Sequence, residues 1–393
     1  MTNHDNLSLD DAKESKMQPL IKWPGGKARE FRYIEQLIPP FDRYIEPFFG
    51  GGAVYFRLEP QRALVNDISA DLMQFYRFVR DGSERFATCL RTFALYWGRM
   101  AEFTAMLWPD AAAVYHQCRA SALKPDALNP LIEAVLAKRR QLFRELFDSE
   151  LFVDHTRFAA VLCVSLVDKL RRLLKLEVAL GRPLSDGELY ANLETGLRSG
   201  FYLHFRGLYN DAALGRPLPR NLAPEERAAY FYFIREYCYG AMFRYNHAGE
   251  FNIPYGGMAY NGKDFGKKIN RLLAPATVRC LAGAELYNLD FADFLDAARP
   301  TDRDFVFLDP PYDSDFADYE GRTFTRADQR RLAERLYCLD APFILIIKNT
   351  DYIRTLYTGR SNLTIVSFDK QYAYNVRRRN NRQAKHLIIT NIV

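Results

Sequence analysis

Segments typical of short buried β-strands lie near both ends of this 393-residue chain, whereas the long stretch between them has a helical pattern. Helical segments follow most of the strands, and such alternation favours one α/β sheet. Because residues 84–200 are mostly helix-like, the sheet must be assembled from two distant pieces of chain. The predicted strands are residues 43–48, 62–66, 305–309, 343–348, 363–368 and 386–392.

The apolar run 305–308 reads as a buried strand that is followed by Asp309, Pro310, Pro311 and Tyr312. A nucleobase amine is a poor nucleophile because its lone pair is delocalised into the ring. The Asp309 carboxylate and the Pro310 carbonyl could accept its two N–H bonds, while Tyr312 stacks on the base. This arrangement suits methyl transfer to an exocyclic amine. The alternative is structural, since Asp-Pro-Pro is also a common way for a strand to end in a turn.

A glycine turn at residues 50–52 follows the predicted strand 43–48 and opens a helix. Glycines at the carboxyl end of a strand admit a ligand close to the backbone, and helix N–H groups face an anion. The next strand, 62–66, ends at Asp67, a position from which a carboxylate can bind ribose hydroxyls. The alternative reading of Asp67 is a cap for the helix that starts near Ala70.

Five blocks, in this order, resemble the Dam-like, or D12-class, DNA adenine N6-methyltransferases, which use S-adenosyl-L-methionine. The similar blocks are residues 22–27, 46–52, 66–68, 244–256 and 309–312. The resemblance implies a Rossmann-like, S-adenosylmethionine-dependent methyltransferase sheet with an inserted, mostly helical DNA-recognition region that carries a β-hairpin. It also implies methyl transfer from this cofactor to N6 of an adenine flipped out of duplex DNA.

Individual roles follow from the same resemblance. Catalysis is assigned to Asp309, Pro310, Pro311 and Tyr312. The glycine turn would cradle the methionine portion of the cofactor, Asp67 would bind its ribose, and Asp290 with Phe291 would flank its adenine. The implied cofactor residues are Trp23, Lys27, Glu46, Pro47, Phe48, Gly50, Gly51, Gly52, Asp67, Asp290, Phe291 and Asp309. Lys27 also has a physical rationale, because a cation suits the cofactor's carboxylate; the alternative is a solvated surface lysine.

A hairpin at residues 244–257 is predicted to face the DNA. Glycines and a proline punctuate a short β-ribbon there, and such a ribbon fits the major groove. In family members that read GATC, Arg-Tyr-Asn is followed by an apolar residue and an arginine, but here His247 and Ala248 hold those places. GATC is therefore doubtful as the preferred site, unless another group reads its outer base pair. The predicted DNA-binding residues are Arg244, Tyr245, Asn246, His247 and Asn252.

The implied domain division has three parts. Residues 1–16 form a disordered tail, residues 17–83 and 272–393 form the catalytic domain, and residues 84–271 form the helical insertion with the target-recognition hairpin. Within the insertion, residues 158–180 form one long apolar and basic stretch that Gly181 and the following residues end. Its aromatic residues would either extend the DNA interface or, as we favour, form a helical core.

Composition agrees with a globular, reduced protein. The net charge of +6 is only mildly basic and does not establish a polyanionic partner. Basic clusters at 138–144, 169–175 and 377–385 would meet phosphates or form solvated helix faces. The six cysteines have no Cys-x-x-Cys pair and the six histidines no helical ligand spacing, so no metal is predicted. No signal peptide or membrane segment is apparent, which predicts a cytoplasmic, bacterial or phage-type, nucleoid-associated protein.

Three other functions remain open from the sequence. Cytosine N4 methylation uses the same chemistry, but enzymes of that type more often resemble Ser-Pro-Pro-Tyr. RNA amine methylation uses an acid or amide before Pro-Pro-Tyr, although the hairpin favours double-stranded DNA as the partner. A non-catalytic nucleic-acid-binding or scaffold protein would have lost Asp309 or the glycines. A cognate restriction endonuclease or other defence partner is possible and is not readable from the sequence.

Overall fold

The structure is a computed structural model that describes residues 17–27, 30–120, 127–312, 318–319, 322–371 and 383–392. The predicted tail at 1–16 and most of the basic cluster at 377–385 lie outside the described residues.

A seven-stranded sheet forms the centre of the described part of the chain. Its order is β3-β2-β1-β4-β5-β7-β6, and the first five strands run parallel whereas β7 is antiparallel to both of its neighbours. This mostly parallel sheet confirms the predicted α/β, Rossmann-like fold. The strands are β1 Arg43–Glu46, β2 Ala63–Asn66, β3 Ala284–Tyr287, β4 Asp304–Leu308, β5 Phe343–Lys348, β6 Thr364–Gln371 and β7 Gln383–Thr390.

All six predicted strands are present, with ends shifted by a few residues, but β3 was not predicted. Its sequence, Ala-Glu-Leu-Tyr, has only one fully buried side chain, because it lies at the edge of the sheet beside β2. By contrast, every residue of β4 is buried. Strands that are covered on both faces have continuous apolar runs, which is why β4 and β5 were conspicuous and β3 was not.

Helices cover both faces of the sheet and form the region between β2 and β3. The long helix α4 contains Pro109, and α7 ends as predicted at Gly181, whose φ of +65° is the left-handed conformation that glycine tolerates. The helices are α1 Phe31–Ile34, α2 Tyr55–Leu58, α3 Ala70–Arg80, α4 Glu84–Ala120, α5 Leu128–Lys138, α6 Arg140–Leu146, α7 His155–Leu180, α8 Asp186–Ala213, α9 Pro224–Tyr237, α10 Phe265–Leu272, α11 Pro275–Ala282, α12 Phe291–Ala298, α13 Arg326–Tyr337 and α14 Asp351–Tyr357.

The aromatic residues of the helical region form its core. Trp97 and Tyr115 are buried, and Trp108 packs partly buried against the same cluster. This confirms the core interpretation of these rings. Two basic residues of this region, Lys138 and Arg139, form ion pairs with Asp110, whereas Arg198 and Arg235 are buried.

The predicted hairpin segment, residues 244–257, is a tight loop with less regular structure than expected. A single antiparallel bridge joins Tyr245 to Phe251, and a second joins Cys238 to Tyr255. No regular strand lies between residues 244 and 257, all of which are described.

Within the described ranges, no helix is both long enough and apolar enough to span a lipid bilayer.

Candidate active site

A cavity of about 290 Å³ opens where β1, β2 and β4 end at their carboxyl edge. In open parallel sheets this edge is the usual place for a ligand, because loops diverge there and leave a crevice. The segment before α1, the glycine turn and the residues after β4 supply most of its walls. The fold therefore brings together, at the carboxyl edge of the sheet, residues that are far apart in the sequence.

Nearly every predicted catalytic and cofactor residue borders this cavity. The predicted residues that line it are Trp23, Lys27, Glu46, Pro47, Phe48, Gly50, Gly51, Asp67, Asp290, Phe291, Asp309, Pro310, Pro311 and Tyr312. Gly52 is the exception. It has a φ of +65°, and an added Cβ would lie 2.8 Å from the rings of Phe49 and Phe56. Gly52 therefore closes the turn against the core and does not face the cavity.

The glycine turn is fastened to the end of β2 by Asp67. The Asp67 carboxylate accepts hydrogen bonds from the backbone N–H groups of Gly50 at 2.8 Å and Ser69 at 2.9 Å. Burial raises the pKa of Asp67 to about 6, although these backbone hydrogen bonds act in the opposite direction. The helix cap is Ser69, whose hydroxyl accepts from Leu72 N, so the reading of Asp67 as the cap of α3 is wrong.

Gly50 is required by the close approach of Trp23. A Cβ added at Gly50 would lie 2.6 Å from the Trp23 ring, and the φ of Gly50 is +49°. The Trp23 ring lies 4.9 Å from the ring of Phe243, which also borders the cavity. Phe243 directly precedes the hairpin segment. One indole ring therefore contacts both the glycine turn and the base of the predicted DNA-facing loop.

Lys27 joins the amino-terminal segment to the residues after β4. Its ammonium donates to Asp309 Oδ1 at 2.5 Å, to the Tyr312 hydroxyl at 2.9 Å and to the Gly25 carbonyl at 2.9 Å. The Lys27 side chain is only 2 % exposed, so the interpretation as a solvated surface lysine is wrong. All three ammonium hydrogens have partners within the protein. Asp309 itself is 19 % exposed and remains accessible from the cavity.

A second carboxyl group, that of Glu46, lies at the buried end of the cavity. Tyr44 donates its hydroxyl hydrogen to Glu46 Oε2 at 2.9 Å. Burial raises the pKa of Glu46 well above its usual range, and the charges of Asp309 and Asp67 raise it further. Five carboxyl groups, those of Glu46, Asp67, Asp290, Asp309 and Asp328, therefore border the cavity together with the Lys27 ammonium, which makes it suited to a cationic ligand.

Aromatic rings form the opposite wall. The ring of Phe48 lies 5.5 Å from that of Phe291 and 5.7 Å from that of Phe324, which it meets edge-on. Asp290 accepts from Ala292 N and caps α12, and it also forms an ion pair with Arg331 at 2.7 Å. This wall suits a flat heteroaromatic group. Phe324 was not predicted as a site residue, although the segment Phe324-Thr325 is similar to a segment of the D12-class methyltransferases.

The predicted DNA-binding residues lie outside the cavity. The Asn246 side chain accepts from the backbone N–H groups of Ala248 and Glu250 and donates to the Glu250 carboxylate, so it shapes the turn. Arg244 donates to the Asn252 side chain at 3.0 Å and is exposed. His247 is exposed at the tip. The loop thus presents arginine and histidine outward while Asn246 is used internally.

Comparison with known proteins agrees with this geometry. Residues 23–106 and 184–374 match the model of the D12 class N6 adenine-specific DNA methyltransferase family. The chain belongs to this family. It is a site-specific DNA methyltransferase that acts on adenine. The unmatched residues 107–183 fall within the helical region, from the middle of α4 to the end of α7.

Three relatives resemble the enzyme over most of its length. It is 29% identical to the type II methyltransferase M.CviBI of Paramecium bursaria Chlorella virus NC1A, over 95% of this chain and 100% of that protein. It is 25% identical to the type II methyltransferase M.MjaIII of Methanocaldococcus jannaschii, over 88% and 89% of the two chains. It is 22% identical to the DNA adenine methylase of Escherichia coli, over 81% and 75%.

Proposed function

We propose that the methyl donor is S-adenosyl-L-methionine, that it binds in the cavity at the carboxyl edge of the sheet, and that Asp309, Pro310 and Tyr312 hold the target adenine. The observation that carries this proposal is the contact between Lys27 and Asp309, which fixes the acid at the cavity while leaving it accessible. When bound, this cofactor supplies a methyl group activated by a sulfonium centre.

The residues present fit this cofactor in charge and shape. Asp67, Asp290, Asp309 and Asp328 border the cavity against the ammonium of Lys27, and this excess of acidic side chains suits a ligand with a sulfonium and an ammonium. The ring wall of Phe48, Phe291 and Phe324 suits its adenine. Gly50, which has no side chain, lets the Trp23 ring pack against the glycine turn and form one wall of the cavity.

The structure suggests a role for Lys27 that differs from pairing with the cofactor's carboxylate. Its three hydrogens already bind Asp309, Tyr312 and Gly25. We assign it to positioning: it orients the acid and the tyrosine relative to each other. A buried ammonium also favours the ionised form of the Asp309 carboxylate, which is the form that accepts hydrogen bonds from an amine.

In the proposed reaction, the Asp309 carboxylate and the Pro310 carbonyl accept the two N–H bonds of adenine N6. These contacts direct the nitrogen lone pair toward the methyl group, and the Tyr312 ring stacks on the base. The nitrogen forms its new bond to carbon before it releases a proton, so no strong general base is needed. Flipping the adenine costs a few kcal/mol, which stacking and hydrogen bonds in the cavity offset.

We further propose that the hairpin segment contacts double-stranded DNA. Its base touches the cavity wall through Phe243, so a bound duplex would lie against the cavity opening. The exposed side chains of Arg244 and His247 supply groups for phosphate or base contact.

Asp309→Asn is the test, because it removes the charge and keeps an oxygen for Lys27. The variant and the matched surface control Asp302→Asn would be incubated with duplex DNA and labelled cofactor, followed by nucleoside analysis. Because the retained oxygen binds Lys27, an NH2 group that cannot accept a hydrogen bond would face the adenine amine. We expect N6-methyladenine formation to fall at least 100-fold, since losing a preorganised acceptor costs ~2.7 kcal/mol or more. Cofactor affinity by calorimetry should stay near that of the wild type.

Activity within tenfold of the wild type in Asp309→Asn would overturn the assigned role. Label found in cytosine N4, or in RNA rather than DNA, would instead point to one of the alternative methyltransferase reactions. Absence of any transfer by the wild-type protein would favour the non-catalytic alternative.

A further inference from the structure

Three lysine side chains converge on Glu236 at the carboxyl-terminal end of α9. The Lys22 ammonium donates to the Glu236 backbone carbonyl at 2.9 Å and lies 3.4 Å from its carboxylate. Lys268 forms an ion pair with the same carboxylate oxygen. Lys263 donates to the Glu236 carbonyl at 3.5 Å. We call these four residues the lysine cluster.

The charges of the lysine cluster do not balance. Three cationic side chains face one carboxylate, and the Glu236 side chain is only 2 % exposed. Its second carboxylate oxygen, Oε1, is buried without a hydrogen-bond partner. Burial and the neighbouring Lys22 lower the pKa of Lys263 to about 7. Because three lysine side chains surround one carboxylate, an anion beside the ammonium groups would be stabilised.

A second cavity, of about 270 Å³, adjoins the cluster. Lys22, Lys268 and Glu236 border it, and so do Trp23 and Gly51, which also border the proposed cofactor cavity. The two cavities therefore share Trp23 and Gly51 in their walls. Lys22 and Lys268 have side chains 30 % and 34 % exposed, so both ammonium groups are accessible from solvent.

The cluster also lies beside the base of the hairpin segment. The residue after Glu236, Tyr237, accepts a hydrogen bond from Gly256 N through its backbone carbonyl, and its hydroxyl donates to the Lys263 carbonyl. The next residue, Cys238, pairs with Tyr255. A DNA strand that contacts the base of the hairpin segment would therefore lie near the lysine cluster.

We propose that Lys263 and Lys268, together with Lys22, bind a phosphodiester group of the DNA backbone next to the flipped adenine. The inference rests on the proposed placement of DNA against the hairpin segment. The ligand chemistry is an oxyanion, and the contact is independent of base sequence. The phosphate would share these ammonium groups with Glu236 and supply the negative charge that the lysine cluster lacks.

The salt dependence of DNA affinity tests the proposal. Binding of the full-length protein to a short duplex would be measured over a range of salt concentrations for Lys263→Gln, Lys268→Gln and the control Lys267→Gln. Lys267 neighbours Lys268 in the same helix but is exposed and outside the cluster. Loss of one phosphate contact should reduce the slope of log affinity against log salt by about 0.9.

We expect this reduction in both cluster variants, with a similar loss of affinity on duplexes of different sequence and no change in cofactor affinity. Lys268→Gln alone removes one of the cations that offset the charge of the buried Glu236 carboxylate, which destabilises the fold. The double variant Lys268→Gln/Glu236→Gln removes both charges and serves as a folded alternative. A wild-type slope in the folded double variant, or an equal change in Lys267→Gln, would overturn the inference. A wild-type protein that binds no duplex DNA at all would instead overturn the proposed function.

Discussion

The Gln329 side-chain amide donates a hydrogen bond of 2.7 Å to the carbonyl oxygen of Pro311. Gln329 lies in α13 and is fully buried. Proline has no backbone N–H, so Pro310 and Pro311 can be held in place through their backbones only by their carbonyl groups. Gln329 therefore anchors one side of the catalytic segment, while Lys27 anchors Asp309 and Tyr312 from the other side.

Removing this anchor should slow the reaction without weakening cofactor binding. For Gln329→Leu we expect kcat to fall about fivefold, since losing a hydrogen bond worth about 1 kcal/mol lets the Pro311 carbonyl, and with it the adjoining Pro310, move. The cofactor dissociation constant should be unchanged. The control is Arg330→Leu, which changes the exposed residue that follows Gln329 in α13. Equal kcat values for the two variants would contradict a positioning role for Gln329.

Asp67 should control cofactor affinity through the glycine turn. Asp67→Ala removes the acceptor for Gly50 N and Ser69 N and the proposed ribose contact, at a cost of roughly 1–3 kcal/mol. Because the pKa of this carboxyl is raised to about 6, wild-type affinity should also fall as pH drops through that value and the carboxylate becomes protonated. Calorimetry from pH 8 to pH 5 would check both effects. If a folded Asp67→Ala variant bound the cofactor with unchanged affinity, the assignment of Asp67 to the cofactor site would be wrong.

Phe324 should contribute to cofactor binding although its role was not predicted. Phe324→Ala deletes the ring that meets Phe48 edge-on, and we expect a loss of about 0.5–1.5 kcal/mol in cofactor affinity. Phe324→Tyr keeps the ring and should restore most of it. If Phe324→Tyr binds the cofactor as weakly as Phe324→Ala, loss of the ring contact does not explain the lower affinity.

The sequence was most informative where a chemically distinctive residue directly follows a predicted strand. Asp309 and the glycine turn could be located because each comes at the end of such a strand and because the blocks around them resemble one family in the same order. Gly52 and Asn246 were assigned to ligands, yet their nearest partners are Phe49, Phe56 and Glu250 of the protein itself. The sequence pattern identifies a loop but not which of its side chains face inward. Gln329 and Phe324 could not be assigned roles, because their partners become neighbours only when α13 packs beside the end of β4.

His204 should make stability depend on pH. Burial lowers the pKa of His204 from 6.5 to about 4, and its ring contacts the Phe152 carbonyl at 2.9 Å. A pKa that is lower in the folded state means that the unfolded chain binds the proton first. The contribution of His204 to the free energy of unfolding is therefore fully present above pH 6.5. It falls by about 3 kcal/mol as the pH drops toward 4. Urea unfolding should show a smaller decline over this range for His204→Phe; an identical decline would rule out His204 as its source.

Sequence preference should differ from that of relatives that read GATC. Ala248 is exposed at the hairpin tip, and its methyl group cannot donate to a guanine edge. A lost bidentate guanine contact is worth about 1–3 kcal/mol of discrimination. We expect GATC not to be preferred, or its outer base pair to be read by another group such as His247. Long-read methylation mapping in cells that express the protein would decide this, and complete modification confined to GATC would contradict it.

The order of the strands has a consequence for synthesis of the protein. β1 lies between β2 and β4, yet β3 and β4 are translated only after the whole helical region has left the ribosome. Until then, both edges of the β1–β2 pair are open to strands of other chains. Helices form largely through local contacts and fold quickly, so the helical region can be in place before the sheet closes. Besides adding surface to the enzyme, this region would then hold the two halves of the active site within reach of each other as the last strands emerge.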